Sequence, residues 1–123
     1  MKEVNTKTII SPKEIILIYN ILRDIGLNIT HKGTKYINKA VQLLYSMNND
    51  IVILEDIYDN IANYYDTTPK QVKNAIAYSL NSRINKKTIK NFEKIFGFEY
   101  DVYYFTNKTI IEEIARIIKV NTY

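Results

Sequence analysis

The sequence has no cysteine and no tryptophan, and only one histidine, two prolines and three glycines in 123 residues. Without cysteine there is no disulfide framework, no thiolate zinc site and no thiol nucleophile, which suits a reducing compartment. His31 alone builds neither a two-histidine metal site nor a histidine-based triad pair. Beside Lys32 and Gly33 it reads as a connector residue, with a phosphate contact or a pH-sensitive role as the alternative. Gly26, Gly33 and Gly97 are isolated, so no glycine-rich phosphate loop is present. No apolar run approaches the roughly 18 residues of a membrane span, and residues 1–10 lack a signal-peptide core. The expectation is a soluble, cytoplasmic chain with no cofactor, no metal and no enzymatic activity.

What remains is a chain of one domain's length, rich in Ile, Asn, Lys and Tyr, with a net charge of +4. The distribution of charge says more than its sum. Residues 50–66 hold Asp50, Glu55, Asp56, Asp59 and Asp66 and no Lys or Arg. Residues 67–94 hold Lys70, Lys73, Arg83, Lys86, Lys87, Lys90 and Lys94 against Glu93 alone. One basic and one acidic face are expected, as for a protein that meets phosphate. Asp56 with Asp59 reads as a solvated helix face, and Glu112 with Glu113 as macrodipole compensation, rather than as catalytic pairs. The eleven tyrosines fall at helical spacing and read as core or boundary residues rather than base-stacking platforms.

Apolar periodicity predicts six helices and no sheet. Residues 1–10 are expected to form a flexible arm, and residues 11–123 a single helical domain. Ser11-Pro12-Lys13-Glu14 reads as a capping box, followed by the stripe Ile15, Ile18, Leu22, Ile25 and a terminator at Gly26. A connector over 28–33 leads to a second helix over about 34–48, with Ile37, Val41, Leu44 and Tyr45 inward and Asn48-Asn49-Asp50 ending it. The third helix spans about 52–65, with Ile53, Ile57, Ile61 and Tyr64 or Tyr65 inward. Thr68-Pro69-Lys70-Gln71 opens a fourth helix to Asn81, which buries Val72, Ala75, Ile76, Ser79 and Leu80. A fifth covers about 86–96 with Ile89, Phe92 and Phe96 and stops at Gly97; residues 98–106 form a packed loop. The last, about 108–119, carries Ile110, Ile111, Ile114, Ile117 and Ile118.

Helices three and four meet the requirements of a helix-turn-helix. Ala62 supplies the small residue at the crossing, Val72 the branched anchor ten positions later, and Thr68-Pro69 a sharp start. Asp66 stands where many such turns use glycine, and aspartate tolerates the left-handed conformation better than most residues. The outward residues of helix four are then Lys70, Gln71, Lys73, Asn74, Ala77, Tyr78 and Asn81. Lysine can meet guanine or phosphate, and Asn and Gln can pair with adenine. Thr68 and the helix start add phosphate contacts, and Lys86, Lys87 and Lys90 are expected to flank the bound helix.

The chain also resembles the C-terminal DNA-binding effector domain of the sporulation stage-zero master response regulator of endospore-forming bacteria. The likeness begins at Ile21-Leu22-Arg23-Asp24-Ile25-Gly26-Leu27 and continues through Lys32-Gly33, Tyr36-Ile37 and Ala40-Val41. It is strongest over Ile61-Ala62, Thr67-Thr68, Val72, Ala75 and Ile76, and resumes at Ile95-Phe96-Gly97-Phe98 and Thr106-Asn107. The resemblance implies a six-helix domain whose fourth helix docks in the major groove of double-stranded DNA. It also implies head-to-tail homodimers on tandem sites and RNA polymerase sigma factor as a second partner. A receiver domain usually precedes this one, and a start at Met1 leaves no room for it, so either a fragment or a stand-alone relative is expected. The reading helix departs from the family. Where the family has Arg-Val-Glu-Arg-Ala-Ile-Arg-His, this chain has Gln71-Val72-Lys73-Asn74-Ala75-Ile76-Ala77-Tyr78. The packing residues agree and the reading residues do not, so a different target, richer in A·T, is expected. The rival reading is a protein-interaction module that kept the fold and lost operator recognition, with the acidic 50–59 segment serving it.

Overall fold

The computed structural model describes residues 10–47, 53–81, 86–101 and 105–121. They form α1 (Pro12–Asp24), α2 (Lys32–Ser46), α3 (Leu54–Tyr65), α4 (Pro69–Asn81), α5 (Lys86–Phe96) and α6 (Asn107–Asn121), with no strand among the described residues. The fold is the six-helix, all-α arrangement that the periodicity predicts. Residues 1–9 of the N-terminal arm, the Asn48-Asn49-Asp50 stop and Arg83 lie outside the described residues.

Helix α1 begins as its sequence dictates. The Glu14 amide donates to Ser11 Oγ at 3.2 Å and the Ser11 amide donates back to Glu14 Oε1 at 3.0 Å, with Pro12 in the first turn. It ends where Gly26 turns left-handed at φ 99°. Its inner residues are Ile18, Ile21 and Leu22; Ile15 is half-buried.

Helix α2 is the spine, packed against α1, α3, α4 and α6. It starts two residues earlier than spacing predicts, at Lys32, and Gly33 is in its first turn rather than in the connector. Tertiary packing explains the shift. A Cβ on Gly33 would lie 2.0 Å from the Ala75 carbonyl oxygen and 2.3 Å from Ser79 Oγ, so only glycine lets α2 meet α4 this closely. Thr34 anchors the same turn by donating to the Asn28 carbonyl at 2.7 Å. The helix ends at Ser46, and Leu44 is half-buried rather than inward. Even its polar Asn38 is buried, donating to the Ile15 carbonyl at 3.3 Å and accepting from Gln42 Nε2 at 2.6 Å.

The inner face of α3 is Ile57, Tyr58, Ile61 and Ala62. Ile53 precedes the helix and is 50% exposed, and Tyr64 and Tyr65 point outward at 67% and 40% exposure, against expectation. Two i,i+4 pairs, 57 with 61 and 58 with 62, form this buried face. The tyrosines are left to one another, to Tyr36 and to Lys39, whose ammonium sits 4.3 Å above the Tyr64 ring.

Helix α5 packs on α1, tied there by Asn91 Nδ2 donating to the Asp24 carbonyl at 2.7 Å. Its Phe92 is the hub of an aromatic cluster with Phe96, Phe98, Tyr100 and Phe105, at centroid distances of 4.5 to 5.8 Å. That cluster is what makes the described part of the α5–α6 connection a packed loop; Ile89, expected inward, is half-buried. Helix α6 closes the core with Ile110, Ile111, Ile114 and Ile118, while Ile117 is only half-buried.

Candidate nucleic-acid interface

Helices α3 and α4 are joined by Asp66, Thr67 and Thr68. Asp66 adopts φ 56°, ψ 53°, the single left-handed non-glycine among the described residues. The turn is closed by the Asp66 and Thr67 amides, both donating to the Ala62 carbonyl. Ala62 and Val72 are both buried at the crossing of the two helices, at 2% and 0% exposure. The register read from the sequence, small residue then branched anchor, is the register of the fold.

The start of α4 is capped, though not as a full capping box. The Gln71 amide donates to Thr68 Oγ1 at 3.2 Å, as expected. The Gln71 side chain, however, accepts from the Thr67 hydroxyl instead of reaching the Thr68 amide. Gln71 is thereby held toward the turn.

Beyond the cap, α4 has a buried and an exposed face, with Ala75, expected inward, only half-buried between them. Val72, Ile76, Ser79 and Leu80 are buried, while Lys70, Gln71, Lys73, Asn74, Tyr78 and Asn81 are exposed. Ala77, expected outward, is half-buried, because it flanks the buried row of Ile76 and Leu80. Asn81 turns its amide back to the Ala77 carbonyl at 2.8 Å. Tyr78 is 68% exposed, with its ring centroid 5.7 Å from that of His31 at the head of α2.

Lys86, Lys87 and Lys90 are exposed together on the first turns of α5. No acidic residue accompanies them in the first turn, so they oppose the helix dipole rather than compensate it. The three lysines share one helix, and α5 packs on α1.

Two residues at this site escape pattern reading. Gly33 sets the distance between α2 and α4, and Asn107, in the first turn of α6, donates from Nδ2 both to Tyr58 Oη at 3.0 Å and to the Lys73 carbonyl at 3.1 Å. The sequence places Thr106-Asn107 just before the last helix; α6 starts at Asn107, and Thr106 Oγ1 accepts from the Thr109 amide at 3.3 Å. Nothing in local spacing reveals that Asn107 reaches two other helices. Tyr58, its partner on α3, is buried, and burial pushes its hydroxyl above the usual tyrosine range despite the Asn107 bond.

Away from α4, a cleft of about 870 Å³ opens between the α5–α6 connection and α6, lined by Phe98, Tyr100, Glu99, Asp101 and Glu112 among others. Its acidic lining separates it from any phosphate-binding surface. Among the described residues no group of His, Asp or Glu could hold a metal ion, and no helix is long and apolar enough to cross a membrane.

Residues 18–118 match the family described as sporulation initiation factor Spo0A C terminal. The match runs from the middle of α1 to the end of the apolar stripe on α6 and contains the whole α3–turn–α4 unit. With its six helices, its buried Ala62–Val72 crossing and this match over most of its length, the chain belongs to the Spo0A C-terminal family, the DNA-binding effector domains of sporulation regulators.

Proposed function

We propose that this protein is a sequence-selective transcription regulator that lays α4 in the major groove of double-stranded DNA. The observation that carries the reading is the division of α4: Val72, Ile76, Ser79 and Leu80 are buried, and an exposed row of Lys70, Lys73, Asn74 and Tyr78 is left beside a capped, abrupt start. Lys73 and Asn74 read base edges, with Ala77 and Tyr78 offering apolar surface to thymine methyl groups. Thr68, Lys70 and Gln71 at the helix start, and Lys86, Lys87 and Lys90 on α5, meet phosphates and carry no sequence information. With Asn where the family has Arg, the preferred site is richer in A·T than the family's own. Two copies bind head to tail on tandem sites, and RNA polymerase sigma factor is the protein partner.

Selection from randomised duplexes, run in parallel for the parent and for Asn74→Ala, tests this. The parent is expected to yield one motif. Asn74→Ala should keep its salt-dependent affinity while losing about 1–3 kcal/mol of discrimination at one position. Identical motifs would remove Asn74 from the reading set. The second reading, a protein-interaction module, is favoured by the acidic cleft at Glu99, Asp101 and Glu112. It takes over if the parent selects no motif at all.

A further inference from the structure

Asn107 is placed unlike any other residue of the interface, because one side-chain amide joins three helices. Its two hydrogens go to Tyr58 Oη on α3 and to the Lys73 carbonyl on α4, at 3.0 and 3.1 Å, from the first turn of α6. Lys73 is the middle of the exposed row, and its carbonyl is the one α4 already offers to the amide of Ala77. We infer that Asn107 is a positioning residue for base readout: it fixes the height and rotation of α4 against α3, so that the Lys73 and Asn74 side chains leave the helix in one orientation. The inference rests on α4 as the reading helix.

The physical case is one of tolerance. Direct readout requires the reading side chains to be held within about 0.5 Å and 10–20°. The apolar contacts of Val72, Ile76 and Leu80 resist separation of α4 from the core but resist sliding and rotation less, since dispersion contacts have no direction. A hydrogen bond to a backbone carbonyl does have direction. Tyr58 completes the device. It is 4% exposed and fixed in the core, so the amide that bonds to it is itself immobilised before it meets α4. Because Asn107 belongs to α6, anything that shifts the start of α6 is transmitted to the reading row through this one contact.

The experiment compares Asn107→Asp and Tyr58→Phe with the parent, each as the full chain. Aspartate is favoured in the first turn of a helix, so Asn107→Asp preserves the start of α6 while removing both donors and facing the Lys73 carbonyl with a carboxylate. Tyr58→Phe removes one acceptor and leaves the bond to α4. Hydrogen exchange without DNA reads the contact itself. The amides of 74–78 are expected to exchange about tenfold faster in Asn107→Asp, with those of α1 and α2 unchanged. Binding to the duplex the parent selects, and to its scrambled form, reads the consequence. The ratio of the two affinities should fall about tenfold while the salt slope stays the same. Tyr58→Phe should give smaller changes in both, and it carries both measurements if Asn107→Asp does not fold. Unchanged exchange in α4 overturns the inference. So does faster exchange with an unchanged affinity ratio, and so does uniform acceleration of every helix, which would make Asn107 a general structural residue. A parent that prefers no duplex defeats α4 as a reading helix, and the exchange measurement alone then decides whether Asn107 fixes α4.

Discussion

Gly33 sits where one added carbon has no room. Its nearest obstacle is backbone, the Ala75 carbonyl oxygen at 2.0 Å from an ideal Cβ, so a side chain cannot simply turn away and a helix must move. Gly33→Ala is therefore expected to cost roughly 1–3 kcal/mol, the range for overpacked interiors, read as a lower urea midpoint. An unchanged midpoint would mean that α2 and α4 are not held at this distance. Val72 makes the opposite demand. It is fully buried at the crossing of α3 and α4, and Val72→Asp would place an unpaired carboxylate there. That variant should lose its cooperative melting transition; one that melts like the parent would refute the α3–α4 register. Asp66, at φ 56°, sits between these cases: Asp66→Val puts a branched side chain in the left-handed region and should cost about 1–2 kcal/mol in chemical denaturation.

Each helix start makes its own contribution, and α1 shows it most directly. Burial works to raise the Glu14 carboxyl, but hydrogen bonds from Tyr45 and from the backbone and side chain of Ser11 outweigh it and hold the group below the usual glutamate range. A carboxylate depressed in the folded state stabilises at pH above its unfolded value, and that contribution is lost as pH falls through the folded one. Denaturation midpoints followed from neutral into the acid range should therefore fall less steeply for Glu14→Gln than for the parent; parallel curves would show that the box does not titrate with folding. On α5 the expectation concerns DNA. Replacing Lys86, Lys87 and Lys90 by Ala should weaken binding to all duplexes alike and reduce the salt slope by up to about 3. A loss confined to one duplex would mean that they read bases. These starts and stops were the most legible part of the sequence, because Ser11, Pro12, Gly26, Thr68, Pro69 and Gly97 act through their own backbone neighbours. The inward stripe of α3 was less so. Ile53 and the two tyrosines at 64 and 65 fit an apolar period, yet the face is set by packing against the other helices, which buries Tyr58 and Ala62 instead. Gly33 and Asn107 were illegible as interface residues for the same reason: their partners, Ala75, Lys73 and Tyr58, lie at least 34 residues away in the chain.

At the scale of the molecule, one helix organises the rest. Helix α2 packs against α1, α3, α4 and α6, and the exposed cations of α4 and α5 lie on elements that it or α1 holds in place. The net charge of +4 is carried unevenly, with the acidic cleft beside α6 and the lysines of α4 and α5 elsewhere, so attraction to phosphate comes with an orientation. The division of α4 has a consequence for how such a protein changes over generations. Ala75 and Ser79 are pinned by Gly33, and Val72 and Ile76 by the core, whereas the side chains of Lys70, Lys73 and Asn74 are exposed. Substitutions at such exposed positions usually stay within about 0.5 kcal/mol of neutral. A lineage can therefore rewrite the outward row while natural selection on folding sees almost nothing, and the surface chemistry of a duplicated copy is free to change without passing through unfolded ancestors.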